Sequence, residues 1–326
     1  MRLGINGFGR IGRAVVRSLD ESVELVAIND IMSTQMMAYL LRFDTVHGPF
    51  DKEVRIIDEK RLQIGDREVR ISHKSDPGDI DWDGVDVVIE STGKFLSRKL
   101  ACGHLKSAKK VILSAPAVDE TPTFVYGVNH LEYKGEDLIS NASCTTNCLA
   151  PIAKIVDGHF GIQKALMTTV HSYTIDQNLL DSDHKREFRR ARAAAQNIIP
   201  TTTGAARALH RVLPNLKGKF DGRSVRVPVA DVSIMDLSLV LEKQTDKERI
   251  NDLFRAYAKG ELTGILGVDE EYRVSSDFLD SSFSSIVALD LTQVVEGNLV
   301  KVMCWYDNEW GYANRLIDMA KFITKE

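Results

Sequence analysis

The amino-acid sequence predicts two domains: an α/β unit built on a doubly wound, Rossmann-type parallel sheet, and an α+β unit with a mostly antiparallel sheet. Three observations predict this fold class. Short apolar strands alternate with helices up to about residue 140, a glycine-rich turn follows the first strand, and the later strands are longer and meet no such turn. The length of 326 residues also exceeds what one hydrophobic core usually supports.

The composition is typical of a globular protein, with 44% apolar and 27% charged residues. A net charge of −4 argues against nucleic acid or an anionic membrane as a partner, and no apolar run is long enough to span a bilayer. The chain enters a strand at once, so we expect no signal peptide and a cytoplasmic location. The cysteines form neither a disulfide framework nor paired metal clusters, so we expect reduced thiols and no metal site. They are Cys102, Cys144, Cys148 and Cys304.

The first strand, predicted over residues 2–6, leads into a G-x-G-x-x-G turn and then a helix over 13–19. Gly7 permits the tight turn, Gly9 lets the backbone approach a pyrophosphate, and Gly12 lets the helix pack on the strand. The helix N-terminus offers N–H groups to phosphates. This motif alone is a weak signal, but here it has the strand and the helix that dinucleotide binding requires.

An acid follows the second strand, which is predicted over residues 24–29. Asp30 lies about 20 residues beyond the glycines, where a carboxylate accepts hydrogen bonds from an adenosine ribose. Its charge would repel a 2′-phosphate, which favours NAD over NADP. The alternative interpretation of Asp30 is an ordinary turn acid.

The remaining elements of the first domain are short. Small polar residues end the strand over 85–90, where ligands meet an open parallel sheet. We predict helices over 36–43 and 99–107, edge hairpin strands over 54–57, 62–64 and 69–71, and further strands over 110–115, 124–128 and 138–140. We interpret Cys102 and His104 as packing and surface residues and not as ligands.

The pattern changes in the second half of the chain. We predict strands over 165–174, 224–242, 284–293 and 299–306, with a hairpin turn at 296–298, and helices over 147–158, 204–213, 246–259 and 312–323. A polar, basic stretch runs from Ile175 to Thr203 and includes Arg186 and Arg190. A loop this long should be functional or interfacial.

One thiol lies at the junction, within the stretch from Ser140 to Pro151. An apolar run with helical spacing follows over 148–156, and Thr145 or Thr146 could cap that helix. Cys144 would then lie at the helix N-terminus, where N–H groups and the dipole favour a thiolate, which is the attacking species. A buried structural cysteine is an equally good interpretation of this stretch alone.

A nucleophilic thiol needs a base, and His171 is the candidate because it ends a strand and precedes Ser172-Tyr173-Thr174. A structural histidine is the stronger interpretation of His171 taken by itself. Helix N-termini and arginines bind oxyanions, although surface or subunit contacts are the alternative for most of the basic residues. The candidate anion-binding residues are Thr174, Arg190, Thr203, Gly204 and Arg226.

A dinucleotide site, a nucleophilic thiol and anion-binding groups together restrict the reaction. A thiolate adds to an aldehyde to give a thiohemiacetal, whose hydride passes to a nicotinamide and leaves a thioester. Phosphate as the nucleophile that releases the thioester would explain a second anion site. We therefore expect an oxidoreductase with a dinucleotide-binding domain at 1–147, a catalytic domain at 148–310, and the helix over 311–326 packed on the first domain.

Six motifs together resemble the phosphorylating glyceraldehyde-3-phosphate dehydrogenase family, and the match runs essentially from end to end. They are Asn6 to Arg13, Ser140 to Pro151, His171 to Thr174, Pro200 to Ala206, Arg226 to Pro228, and Trp305 to Tyr312. The resemblance implies oxidation of glyceraldehyde 3-phosphate with NAD and inorganic phosphate to 1,3-bisphosphoglycerate, in glycolysis or gluconeogenesis. It also implies a homotetramer in which residues 175–199 cross between subunits.

The resemblance assigns roles to individual residues. Cys144 would be the nucleophile, and His171 would be its base and stabilise the oxyanion. The substrate's phosphate would bind to Thr174 and Arg226. Inorganic phosphate would bind to Ser143, Thr145, Arg190, Thr203 and Gly204. The dinucleotide would bind to Gly7, Gly9, Arg10, Ile11, Gly12, Asp30, Thr92, Ser114 and Asn308.

Two departures from the family pattern stand out. Ser182-Asp183 replaces the Leu-Pro of many NAD-using members; Ser182 resembles NADP-accepting members, whereas Asp183 would oppose a 2′-phosphate. With Asp30 present, we predict a preference for NAD. Val229-Ala230-Asp231 replaces a commoner Thr-Pro-Asn, and the sequence offers no functional account of that change.

Two other functions stay open. Erythrose-4-phosphate dehydrogenase uses the same thiol, base and cofactor, although its relatives differ from this chain at Tyr173-Thr174 and at Thr203 to Ala206. A non-enzymatic RNA-binding protein is the alternative from another class, and the net charge of −4 and the lack of an RNA-binding aromatic motif argue against it. Cys148 lies one helical turn beyond Cys144, and we expect it to pack and not to form a disulfide.

Overall fold

A computed structural model describes residues 1–185 and 187–325; Arg186 of the basic stretch and Glu326 at the end of the predicted C-terminal helix lie outside this range. The chain divides into two compact units. Unit 1 comprises Met1–Ser143 and the chain from Tyr312 onward, and unit 2 comprises Cys144–Gly311. The division falls after Ser143, and not after residue 147, because the helix that begins at Cys144 belongs to unit 2.

The secondary structure alternates as expected in the first half of the chain. The α-helices of the described residues are α1 Arg10–Arg17, α2 Thr34–Arg42, α3 Arg98–Ala101, α4 Cys144–Phe160, α5 Ala205–Ala208, α6 Lys247–Lys259 and α7 Trp310–Lys325. The strands are β1 Arg2–Asn6, β2 Glu24–Asn29, β3 Phe43–Asp44, β4 Gly48–Pro49, β5 Val54–Asp58, β6 Arg61–Ile64, β7 Arg67–Ser72, β8 Val87–Glu90, β9 Lys110–Leu113, β10 Leu138–Ser140, β11 Ile162–Ser172, β12 Ile199–Thr202, β13 Phe220–Val227, β14 Ser233–Leu241, β15 Leu266–Asp269, β16 Ser285–Ala288, β17 Gln293–Val295 and β18 Leu299–Tyr306. Short 3-10 helices lie at Pro77–Asp79, Cys102–Lys106, His130–Glu132, Phe188–Ala191, Ala194–Gln196, Leu209–Arg211, Pro214–Leu216, Ser275–Phe278 and Leu289–Leu291.

Unit 1 is built on one sheet with the strand order β10-β9-β8-β1-β2-β7-β6-β5. The strands from β10 to β7 all pair in parallel, and β6 and β5 add an antiparallel edge. Counted in chain order, the six parallel strands follow the sequence 3-2-1-4-5-6, which is the doubly wound order of dinucleotide-binding sheets. The predicted parallel sheet and its edge hairpins are therefore confirmed.

The parallel strands of unit 1 are apolar because both faces of the sheet are covered. Every residue of β8 is buried, and β1, β2 and β9 are buried except at their first residues. The C-terminal helix α7 also belongs to this core: Tyr312 donates a hydrogen bond to the carbonyl of Ala142 at 2.8 Å, and Lys110 donates to the carbonyl of Ile323.

Unit 2 is built on a second sheet with the order β12-β13-β11-β14-β18-β16-β15, with β17 paired to β18. The pairs β11–β13 and β15–β16 are parallel, and the other pairs are antiparallel. A mostly antiparallel sheet is therefore confirmed. The predicted hairpin joins β17 and β18, with Glu296 and Gly297 at φ +47° and +76°.

Several predicted elements differ in the structure. Residues 124–128 form no strand, and only an isolated bridge links Thr123 with Ser140. Residues 224–242 are two strands, because Pro228 has no N–H for a ladder and Val232 turns the chain at φ +66°. The predicted strand 284–293 breaks after Ala288.

Helix α4 begins at Cys144. Neither Thr145 nor Thr146 is therefore its cap, and that prediction is wrong. Two other predicted helices, over 99–107 and 204–213, consist of a short α-helix followed by 3-10 turns. Within the described part of the chain, no helix combines the length and the apolar character needed to cross a membrane.

Candidate active site

Four neighbouring strands of unit 1 end at the same edge of its sheet. The glycine turn follows β1, Asp30 follows β2, Ser91-Thr92 follows β8, and Ser114 follows β9. Because these strands are parallel and adjacent, the predicted dinucleotide-binding residues of unit 1 lie along one edge. Ligands bind at this edge in open α/β sheets.

The glycine turn shows why three glycines are needed. Gly7 has φ +94°, and a side chain there would meet the backbone N of Thr92 at 2.6 Å. A Cβ on Gly12 would lie 2.2 Å from the carbonyl oxygen of Gly7. A Cβ on Gly9 would meet no described atom within 4 Å. Gly9 therefore leaves open space at the start of α1, which fits the close approach of a pyrophosphate.

The charged residues near the turn hold it in place. Asp30 accepts hydrogen bonds from the N–H of Phe8 at 2.6 Å and from that of Met32 at 2.9 Å. Asp30 thus ties the turn to the end of β2. The Arg10 side chain pairs with Asp44, while its backbone opens α1 next to the half-buried Ile11.

Cys144 is the first residue of α4 in unit 2, so its thiol lies at the N-terminus of a 17-residue helix. Its Sγ lies 3.8 Å from Nε2 of His171 and 4.0 Å from the hydroxyl of Thr145. The structure therefore brings the predicted nucleophile and base together. Cys148 is buried one turn later and donates to the Ser285 hydroxyl at 3.4 Å, as a packing residue does.

His171 lies near the end of β11, and its ring orientation fixes its tautomer. Nδ1 lies 2.8 Å from the carbonyl oxygen of Ser172, which can only accept, so Nδ1 carries the proton. Nε2 is then an acceptor directed at the Cys144 thiol. The ring is buried, and it forms a T-shaped contact with the Tyr306 ring, with the centroids 5.9 Å apart.

The electrostatics of this pair are set by burial and by Arg226. Burial raises the pKa of the Cys144 thiol. The hydrogen bond with Thr145 and the positive charge of Arg226 lower that pKa, but burial outweighs them. Burial and Arg226 both lower the pKa of His171, to about 3. Both shifts favour the neutral thiol and imidazole, in contrast to the thiolate that the helix N-terminus alone favours. The site can therefore hold the proton on sulfur and pass it directly to Nε2.

Tyr306 is a residue that sequence analysis missed. It ends β18, and its hydroxyl lies 3.0 Å from the hydroxyl of Thr145 and 2.7 Å from that of Thr169. Burial raises its pKa, so it stays a phenol. The only sequence signal is its place in the Trp305 to Tyr312 motif.

Arg226 and Thr174, the candidate residues for an anion site, lie beside the thiol–imidazole pair. The parallel register of β11 and β13 sets His171 opposite Arg226. Arg226 donates to the hydroxyl of Thr174 at 2.9 Å and to the carbonyl of Ser172 at 3.0 Å. Its buried Nε has no hydrogen-bond partner among the described residues, so one donor of this guanidinium is left for a ligand.

Asn308 is buried, and its side-chain oxygen accepts hydrogen bonds from the hydroxyls of Ser172 at 3.0 Å and Ser233 at 2.7 Å. These bonds fix the orientation of the amide. Thr203 and Gly204 follow β12 and open α5, where the Thr203 hydroxyl accepts from the N–H of Ala205 at 3.3 Å. Ser143 directly precedes Cys144 in the chain.

Asp231, where the family pattern commonly has asparagine, is buried in unit 2. Burial, with the charge of Asp307 and then of Glu309, raises the pKa of Asp231 to about 10. A protonated Asp231 has the same charge as the asparagine that it replaces.

Comparisons with known proteins match both units. Residues 1–98 match the family model described as the NAD binding domain of glyceraldehyde 3-phosphate dehydrogenase, and residues 143–308 match the one described as its C-terminal domain. The chain is 50% identical over 332 residues to glyceraldehyde-3-phosphate dehydrogenase 1 of Bacillus cereus, covering 100% of this chain and 99% of that protein. It is 52% identical over 335 residues to glyceraldehyde-3-phosphate dehydrogenase of Helicobacter pylori, covering 99% of each. It is 45% identical over 330 residues to the Salmonella typhimurium protein of the same name, covering 100% of this chain and 99% of that protein.

The glycine turn gives a matched pair of variants. Gly9→Ala should change the free energy of unfolding by no more than about 1 kcal/mol, because its Cβ meets no neighbour. The variant should nevertheless bind NAD at least about tenfold more weakly, because the methyl group fills the space for the pyrophosphate. Gly12→Ala should lose about 1–3 kcal/mol of stability, because its Cβ overlaps the Gly7 carbonyl. Chemical denaturation and a fluorescence titration with NAD measure the two effects. Wild-type affinity in Gly9→Ala would contradict the role of this turn.

His171→Asn should move the pH dependence of Cys144 alkylation to higher pH. The wild-type thiol can pass its proton to Nε2, whereas in the variant it must ionise to solvent while burial holds its pKa above the usual value of about 8.5. Alkylation at pH 7 therefore slows, because no base takes the thiol proton as the sulfur attacks. Iodoacetamide rates between pH 5 and pH 10, with Cys144→Ser as the control for other thiols, measure this. An unchanged profile would remove His171 from its role.

Proposed function

This chain belongs to the glyceraldehyde-3-phosphate dehydrogenase family, and on that premise we propose that Cys144 is its covalent catalyst and His171 the base. The chain is an NAD-dependent oxidoreductase of glycolysis. The observation that carries the proposal is the 3.8 Å contact between Cys144 Sγ and the acceptor nitrogen of His171. The open space at Gly9 fits the NAD that the family uses.

The reaction begins when His171 takes the thiol proton, the Cys144 sulfur bonds to the aldehyde carbon, and His171 passes the proton to the carbonyl oxygen, giving a thiohemiacetal. His171 then removes the proton of the new hydroxyl group as the hydride leaves. NAD, when bound, supplies the acceptor for the hydride that leaves this carbon. Cys144 is left as a thioester, and an oxygen of inorganic phosphate attacks its carbonyl carbon. The sulfur leaves as a thiolate and regains its proton, and the product is 1,3-bisphosphoglycerate.

The substrate's phosphate would bind to Arg226 and Thr174. The buried Nε of Arg226 supports this, because an anion would satisfy a donor that lacks a partner among the described residues. The Thr174 hydroxyl, already oriented between Arg226 and Asp176, adds a second polar contact. Inorganic phosphate would bind at Ser143, Thr145, Thr203 and Gly204. Arg190 would support this site through its contacts with Thr201 and Thr202, which precede Thr203.

NAD would be preferred over NADP because Asp30 places its carboxylate at the end of β2, next to the glycine turn. We also propose that the chain forms a homotetramer through the segment 175–199. Large apolar side chains are exposed there, including Phe188 at 96% and Leu179 at 82%, and exposure on this scale favours a protein partner. A catalyst that depends on a free thiol fits the reducing cytoplasm, and all four cysteines are free.

An assay that omits one reactant at a time tests the covalent route. With glyceraldehyde 3-phosphate and NAD but no phosphate, we expect one burst of NADH of about one equivalent per active site, since the thioester cannot be released. Mass spectrometry should then find the acyl group on Cys144. Cys144→Ser should give neither the burst nor the adduct.

Sustained NADH production without phosphate at the rate seen with it, or a burst in Cys144→Ser, would contradict the proposal. The same assay distinguishes the erythrose-4-phosphate alternative: kcat/KM should be higher for glyceraldehyde 3-phosphate than for erythrose 4-phosphate. The reverse order would assign the chain to the longer sugar.

Arg226→Gln should separate binding of the phosphate group from the chemistry of the aldehyde. Loss of a charge-assisted contact worth about 1.5–3 kcal/mol should raise KM for glyceraldehyde 3-phosphate about 10- to 100-fold. KM for unphosphorylated glyceraldehyde should change much less. Arg255→Gln is the matched control, because Arg255 is a half-buried arginine on α6 of the same unit. An equal rise in KM for both aldehydes would show that Arg226 does not bind the substrate's phosphate.

A further inference from the structure

The carboxylate of Glu187 accepts hydrogen bonds from donors that directly precede Thr203 and Gly204, which we call the phosphate loop because they are proposed to bind inorganic phosphate. One of its oxygens accepts from the N–H of Thr202 at 3.1 Å and from the Thr202 hydroxyl at 2.7 Å. The other accepts from Nε of Arg190 at 2.8 Å and from the hydroxyl of Thr201. This cradle, made of a backbone N–H, two hydroxyls and a guanidinium, contains the donor types that hold a bound oxyanion.

This carboxylate is a permanent anion. Burial pushes the pKa of Glu187 up, but the hydrogen bonds from Thr201 and Thr202 outweigh it and lower that pKa to about 2. Glu187 therefore stays ionised at neutral pH.

The cradle leads directly into the residues proposed to bind inorganic phosphate. Thr201 and Thr202 are the last two residues of β12, whose pairing with β13 sets Thr202 opposite Arg223. Thr203 and Gly204 follow at once. A group that holds Thr201 and Thr202 therefore fixes where the phosphate loop begins.

Glu187 also offsets the positive charge of Arg190, with which it forms an ion pair. Besides Glu187, Arg190 contacts Asp176 through Nη1 and the Thr201 hydroxyl through Nε at 2.8 Å. Two carboxylates thus face one guanidinium. In this arrangement, Arg190 braces the loop and does not present a free charge to a second anion.

We propose that Glu187 is an internal anion that positions Thr201 to Gly204 and sets the affinity of the enzyme for inorganic phosphate. This inference rests on the function proposed above. Glu187 acts as a positioning residue, because it touches Arg190 and the residues just before the phosphate loop, and not the reacting atoms.

Glu187→Ala tests the proposal through the separate KM values. Without the carboxylate, the residues that lead into the loop lose charge-assisted bonds worth about 1.5–3 kcal/mol, so KM for phosphate should rise about tenfold or more. KM for glyceraldehyde 3-phosphate and the NADH burst without phosphate should stay within about twofold of wild type. Glu270→Ala is the matched control, because Glu270 is an exposed acid of the same unit paired with Arg255.

Acetate gives a second readout that a general loss of structure would not produce. Acetate at about 0.1 M should refill the cradle in Glu187→Ala, raising its Tm and lowering its KM for phosphate toward wild type, since it carries the same charge and shape as the lost group. The wild type, whose cradle is filled, should not respond. Glu187→Gln, which keeps the size but not the charge, should also raise KM for phosphate if Glu187→Ala fails to fold.

The proposal is overturned if KM for phosphate stays within about twofold of wild type in the variants, if KM for the aldehyde rises in parallel, or if acetate acts equally on wild type and variant. A wild-type enzyme without a phosphate-dependent second step would instead overturn the proposed function. The two failures are therefore distinguishable in the same set of assays.

Discussion

The hydrogen bond from Nδ1 of His171 to the carbonyl oxygen of Ser172 is the contact on which the chemistry of this chain depends. It decides which ring nitrogen is an acceptor, and it directs that nitrogen at the Cys144 thiol. This carbonyl belongs to the last residue of β11, which pairs with Val227 of β13, and it also accepts a hydrogen bond from Arg226 at 3.0 Å. The buried Tyr306 ring supports the imidazole from the side. One interior strand, β11, thus supplies both the base and the group that sets its tautomer.

Arg226 shifts the pKa of both members of the pair in the same direction. Its positive charge favours a negative sulfur and disfavours a positive imidazole, and it therefore lowers the pKa of both Cys144 and His171. Burial opposes either charge. The two neutral groups are the favoured form until an electrophile arrives, and Arg226 then stabilises the negative charge that develops on sulfur or oxygen. A nearby cation stabilises the anion that forms during the reaction. It would not stabilise a resting thiolate–imidazolium pair as well, because it repels the imidazolium.

The features predictable from sequence are those set by neighbours in the chain. The glycine turn between β1 and α1, the acid after β2 and a cysteine at a helix N-terminus all follow from local patterns, and the structure has each of them. The break at Pro228 was missed because β-forming residues continue on both sides of it. The roles of Tyr306 and Glu187 could not be predicted from the sequence, because their hydrogen-bond partners lie on strands and loops that are distant in the chain. His171 had only a weak local signal, and its role depends on a tertiary contact.

The two arginines proposed for phosphate binding differ in how far the protein satisfies them. Arg190 is held by Asp176, Glu187 and the Thr201 hydroxyl, so its charge is already balanced within the fold. Arg226 contacts a carbonyl and a hydroxyl, and it keeps a buried Nε without a partner among the described residues. A half-buried cation with an unsatisfied donor gains more from an incoming anion than one already matched to carboxylates. Arg226 is therefore suited to bind a phosphate directly, whereas Arg190 is suited to hold the loop on which a second phosphate depends.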